Sequence, residues 1–181
     1  MRSSNYDTIG AVVNYKQEGA KETLAEYISN FLRDNTLIVC IGTDKCIGDS
    51  LGPLVGTFLK EANFPLPVIG TLQNPAHAVN LEEILCDISC QYPNYFIIAI
   101  DACLGFEDNL GDIQIKLGPV HPGKGVGKNL PTVGDISIVG VVDSIDIKDG
   151  YWLKNIRLNF IWDMAKIISE GLILAAKQKG M

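Results

Sequence analysis

Residues 36–53 read TLIVCIGTDKCIGDSLGP. The run from Thr36 to Gly42 is almost unbroken apolar sequence. It stops at a polar, glycine-flanked loop, and apolar residues resume at Leu51. A half-exposed strand would alternate, so a continuous short run bounded by turn residues predicts a strand covered on both faces. Ser50 and Pro53 are start signals for a helix over about 53–62. Strand, loop and helix in that order are one half of a βαβ unit.

The same pattern extends outward. Upstream, Leu24, Tyr27, Ile28, Phe31 and Leu32 fall at helical spacing and predict a helix over about 20–34. Downstream, PVIGTL (67–72) reads as a short strand and 77–91 as a helix. YFIIAID (95–101) is a second apolar run, and it ends on a carboxylate. GDIQIKLG (111–118) alternates and reads as an edge or half-exposed strand, whereas ISIVGVV (136–142) reads as fully buried. A last helix over about 155–178 carries Ile156, Phe160, Met164, Ile167 and Ile168 on one stripe. Buried strands alternating with helices predict an α/β fold, a largely parallel sheet with helices on both faces. In such sheets the working site lies beyond the carboxyl ends of the strands.

The chain of 181 residues fits one domain, with residues 36–143 as its motif core and 1–19 as a less ordered N-terminal segment. An apolar fraction of 47% and a charged fraction of 20% are those of a globular protein. No apolar run reaches the ~18 residues of a membrane span. The first ten residues lack the apolar core of a signal peptide, so a cytoplasmic location is expected. A net charge of −6 leaves no basic surplus for nucleic acid and is compatible with a small basic protein as partner. A homo-oligomer is compatible with the same composition. The five cysteines form no CxxC pair; Cys86 and Cys90 stand i,i+4 on a predicted helix, and reduced cysteines acting as small apolar residues are expected.

Three loops follow predicted strands and are unusual in composition: 42–53, 101–105 and 121–128. Asp101 closes an apolar strand, where an unpartnered charge would be costly. Asp49 precedes a helix, whose positive end favours an ionised carboxyl. If their strands are neighbours, the two face each other across one cleft. Two close carboxylates repel, so one holds a proton while the other is ionised, which supplies an acid and a base for attack of water on an amide. Alternatively the pair, with His121, ligates a divalent transition metal. Gly48 shapes the first loop, and Thr43 and Asp44 support it. Gly123 and Gly125 let backbone approach a substrate, and Lys124 sets charge at the rim. Gly118 to Lys124 matches G-x-x-x-x-G-K, but Gly125 stands where a phosphate loop needs Ser or Thr, so nucleotide binding is not expected. His77 opens a predicted helix and reads as a surface or capping residue. Cys46 and Cys103 flank the proposed site.

The blocks CIGTDKCIGDSLGPLVG, IIAIDACLG and GDIQIKLGPVHPGKGVGK, in this order, resemble the YyaC family of sporulation proteins. These are similar to the germination protease that degrades small acid-soluble spore proteins. The resemblance implies a three-layer α/β/α sandwich shared with the hydrogenase maturation endopeptidases, within the phosphorylase/hydrolase-like group. It also implies that Asp49 and Asp101 are the two motif aspartates of an atypical aspartic-type peptidase. The expected function is thus peptide hydrolysis in sporulation or germination, without a cofactor and on a peptide or small basic spore protein. The rivals are a metal-dependent hydrolase or endopeptidase, and a non-catalytic sporulation factor that binds a peptide or protein in the same cleft.

Overall fold

A computed structural model of the chain describes residues 8–123, 130–144 and 156–181. Its elements in chain order are β1 (Thr8–Asn14), α1 (Ala20–Ser29), β2 (Thr36–Cys40), α2 (Leu51–Glu61), β3 (Val68–Ile69), α3 (Leu81–Gln91), β4 (Phe96–Gly105), β5 (Asp112–Leu117), β6 (Ile136–Ser144) and α4 (Leu158–Gln178). The six strands form one mixed sheet in the order β1-β5-β6-β4-β2-β3. β3, β2, β4 and β6 run parallel, and β5 runs antiparallel to both β6 and β1. The fold is α/β, as the alternation predicts.

Both faces of the sheet are covered. All five residues of β2 are buried, which accounts for their unbroken apolar run. Their side chains divide by parity. Ile38 and Cys40 join Ile98, Ile100 and Ile138 in a core that also takes Leu24 and Ile28 of α1, Leu54 and Val55 of α2, and Met164 and Ile168 of α4. Leu37, Val39, Ala99 and Val139 face the other way, against Leu81 and Ile88 of α3. Each large aliphatic side chain so buried contributes about 1.5–3 kcal/mol. Three helices therefore lie on one face and α3 on the other, giving three layers.

The elements differ from expectation at several ends. β3 is only two residues long, because a turn closed by the Thr71 N–H on the Asn74 carbonyl (3.1 Å) follows at once. α1 stops at Ser29, where the Ser29 hydroxyl and the Asn30 amide both bond back to the Glu26 carbonyl. α3 starts at Leu81 instead of His77, since residues 77–80 form a turn held by Asn80. β4 does not end at Asp101; it continues to Gly105 because β6 pairs with it along that whole stretch.

The largest correction concerns β5. It is an interior strand, with Ile113 and Ile115 fully buried on one side, because the unforeseen strand β1 pairs along its outer edge. It also runs opposite to its neighbours, so its carboxyl end lies at the amino edge of β4 and β6. Lys116 accordingly stands opposite Ser137, the second residue of β6. The stem of the following glycine-rich loop rises from that edge, where Val120 and Val133 exchange two backbone hydrogen bonds of 2.9 and 3.1 Å.

Candidate functional site

The loop between β2 and α2 is shaped by close approach. Gly42 has φ 138°, and a Cβ there would collide with the Asp49 carbonyl oxygen. The Thr43 N–H donates to that same carbonyl at 2.9 Å, which folds the loop back over the end of β2. Gly52 lies against the backbone of Ile41, so the first turn of α2 sits directly on the strand end. Residues Gly48–Ser50 form a 3-10 turn leading into α2, and the Ser50 hydroxyl donates to the Ile47 carbonyl at 2.6 Å. Asp49 is thereby held at a helix start over the carboxyl edge of the sheet.

Asp101 comes to the same place from β4. Its Oδ1 accepts the Ala102 N–H at 2.8 Å. Both residues are half-buried, with the Asp101 carboxyl the more deeply enclosed of the two. Burial pushes Asp101 well above the usual carboxylate range, and repulsion from Asp49 pushes it further, against the pull of the Ala102 N–H. Burial likewise raises Asp49, to about 6, while a hydrogen bond from the Thr43 backbone and the attraction of His77 oppose the rise. The two aspartates thus share one electrostatic neighbourhood, as the neighbouring strands β2 and β4 require.

His77 is the residue that sequence reasoning placed elsewhere. Ala76 pairs with Ile41 as an isolated parallel bridge, and the Ala76 carbonyl accepts the Gly42 N–H at 2.8 Å. The segment before α3 is therefore stitched to the loop that carries Asp49, and half-buried His77 stands beside it. The available signal was the polar cluster NPAHAVN following a short strand at the same sheet edge.

The other predicted residues divide between the edges. Thr43 works through its backbone, Gly48 is buried in the 3-10 turn, and Asp44 is exposed to solvent. Cys103, two residues beyond Asp101 on β4, is pushed up to about 11 by burial, with the Lys116 cation pulling down and Asp101 pushing up. A thiol so raised stays protonated at neutral pH. Cys46 is half-buried in the first loop. His121 is exposed on the glycine-loop stem, which leaves the amino edge, and Gly123 follows it with φ 79°. Lys124 and Gly125 lie outside the described residues. Among the described residues no group of three or more His, Cys, Asp or Glu side chains is arranged to hold a metal ion, so Asp49, Asp101 and His121 do not form one. Cys86 and Cys90 are both exposed on α3, so they do not act as core residues. No helix among the described residues is long and apolar enough to cross a membrane.

Burial raises both carboxyls, Asp49 to about 6 and Asp101 well above the usual carboxylate range, with repulsion from Asp49 adding to the rise at Asp101. Over 176 residues the chain is 41% identical to a protein of Bacillus subtilis (strain 168) described as the uncharacterized protein YyaC, covering 94% of this chain and 86% of that one. Residues 12–171 match the family described as a protein of unknown function, DUF1256. Both matches span β2, β4 and the loops that carry the two aspartates, and the chain belongs to the DUF1256 family.

Proposed function

We propose that the chain is a peptidase-like hydrolase of sporulation or germination that uses Asp49 and Asp101 as a base and acid. The observation that carries the reading is the pair itself: two carboxyls at one sheet edge, Asp49 raised by burial to about 6 and Asp101 raised well above the usual carboxylate range by burial and by repulsion from Asp49. At neutral pH ionised Asp49 takes a proton from water as its oxygen attacks the amide carbon. Asp101 gives its proton to the leaving nitrogen, the C–N bond breaks, and the two products are a carboxylic acid and an amine. The next water restores the pair by proton exchange. The motif resemblance to the germination protease supports an amide as substrate, and the chain's net charge of −6 favours basic polypeptides.

The test is incubation of the purified chain with small basic spore proteins, with cleavage followed by mass spectrometry. Cleavage is expected, and Asp101→Asn is expected to reduce its rate by about 10³-fold or more with the fold intact by circular dichroism. Full activity in Asp101→Asn sinks the mechanism. Binding without any cleavage by the unaltered protein sinks the hydrolase and leaves the cleft as a binding surface.

A further inference from the structure

β1 is a terminal strand of the sheet, paired with β5 on one side and with no strand among the described residues on the other. Its sequence, TIGAVVN, carries no charge and no proline, two devices that commonly keep a sheet edge from pairing. The stretch left open is short. Asn14 is tied to its own chain, with Nδ2 donating to the Leu110 carbonyl at 3.2 Å and to Asp112 Oδ1 at 3.0 Å, and with its carbonyl accepting the Gln17 N–H. The open edge therefore runs from Ile9 to Val12.

Register decides which groups face outward. The Tyr15 N–H donates to the Gly111 carbonyl at 2.9 Å. Bonded and non-bonded positions alternate along an antiparallel pair, so Val13 and Ala11, opposite Ile113 and Ile115, bond inward to β5. Val12, opposite Gln114, and Ile9, opposite Lys116, then turn their N–H and C=O groups away from the sheet. The side chains follow the same register. Ile113 and Ile115 lie in the core with α1 and α4, so Gln114 and Lys116 stand on the other face, and Val12 and Ile9 with them. Two residues three apart share a face only because the register shifts between Ile9 and Ala11, with Gly10 as the extra residue. Packing on α1 keeps that residue a glycine, since a Cβ there would collide with the Tyr27 hydroxyl. The apolar cluster under α3 takes residues of β2, β4 and β6 and none of β1 or β5, and Ile9 and Val12 are 51% and 47% exposed.

We propose that the open edge of β1 is the surface on which a second copy of this chain docks, antiparallel, with Ile9 opposite the partner's Val12 and Val12 opposite the partner's Ile9. The edge is its own match. Both residues offer outward N–H and C=O groups, and both carry an aliphatic side chain on the same face. A two-fold axis midway between Gly10 and Ala11 therefore pairs the backbone groups of each with those of the other and closes four half-exposed side chains into one patch. Charge favours the same occupant at the same place: a net charge of −6 sets two copies against each other over most of their surface, and least at a strand without charge. The two six-stranded sheets then join as one. Because β1 meets its mate antiparallel, the two Asp49–Asp101 sites open at opposite edges of the joined sheet and neither is covered.

The test is sedimentation velocity of the full chain over a concentration series, paired with amide hydrogen exchange. A contact this small belongs to the weak end of interfaces, so the mass should double with a dissociation constant of about 1–100 µM. Exchange at the Ile9 and Val12 amides should slow as the dimer fills, because both N–H groups become bonded across the axis. Val12→Lys sets a charge against the partner's Ile9 and should weaken association by about tenfold or more. Leu158→Lys makes the same change of charge at an exposed position on α4 and should leave association within about twofold. A chain that stays monomeric at about 300 µM overturns the proposal. So does a dimer that Val12→Lys leaves unchanged, or one in which the Ile9 and Val12 amides exchange as fast as in the monomer. If Val12→Lys does not fold, the exchange rates of the unaltered chain decide alone.

Discussion

Gly42 and Gly118 have nearly the same φ, 138° and 140°, at opposite edges of one sheet. A Cβ at Gly42 would run into the Asp49 carbonyl and lie 3.0 Å from Pro53 Cδ, whereas a Cβ at Gly118 meets nothing within 4 Å. At the carboxyl edge the strained conformation is enforced by packing that holds a carboxyl in place. At the amino edge the same conformation is a simple change of direction on leaving β5. The contrast extends to acidic residues. Asp49 and Asp101 are held where charge is disfavoured, while Asp135, at the amino edge, accepts the Ile97 N–H at 2.7 Å and ties the start of β6 to β4. One edge opposes the charge of its own carboxyls, and at the other a carboxyl ties two strands together.

Exchanging alanine for each glycine tests the comparison most severely. Gly42→Ala adds both backbone strain and a collision, and should cost about 3 kcal/mol or more by urea unfolding. Gly118→Ala adds strain alone and should cost about 1–2 kcal/mol. Equal costs would mean that the two edges are packed alike.

The aspartates come next in expected size. Asp49 has a folded value of about 6 against an unfolded value near 3.8. The native state therefore binds its proton more tightly. The stability this contributes is fully present below about pH 4 and is lost as pH rises through about 6. Asp49→Asn removes that loss, and after allowance for its partial exposure should stabilise the protein by about 1–3 kcal/mol at pH 8 and by little at pH 4. Asp135→Ala removes the acceptor of the Ile97 N–H and should cost about 1–2 kcal/mol. Thermal unfolding at the two pH values measures both. The smallest effect belongs to His121→Ala: exposed and at the amino edge, it should shift stability by less than about 0.5 kcal/mol. It should also leave hydrolysis within about twofold of the unaltered rate.

Much of the fold was legible because burial on both faces writes itself into composition. Thr36–Cys40 and Phe96–Ile100 could not carry alternating polarity and remain between two layers of helix. The helices showed through their apolar stripes. β1 was missed because TIGAVVN contains Gly10 and leaves Ile9 and Val12 about half exposed, so it presents neither a clean run nor a clean alternation. That omission carried the error in β5, since alternation in DIQIKL reports one covered face and says nothing of strand direction or of neighbours. The position of Asp101 was legible as a carboxylate on an apolar strand. The continuation of β4 beyond it was not, because only pairing with β6 keeps Ala102–Gly105 extended.

The sequence by itself determined the α/β class, the buried strands β2 and β4, and Asp49 and Asp101 as candidate residues, since each follows from local pattern and the cost of burying charge. The tertiary structure alone decided which loops meet. It reversed β5 and sent the stem carrying His121 to the amino edge. It brought His77, through the bridge of Ala76 to Ile41, beside Asp49. Strand direction and non-local backbone pairing fix those neighbours, and neither leaves a periodic trace in the residues that it brings together.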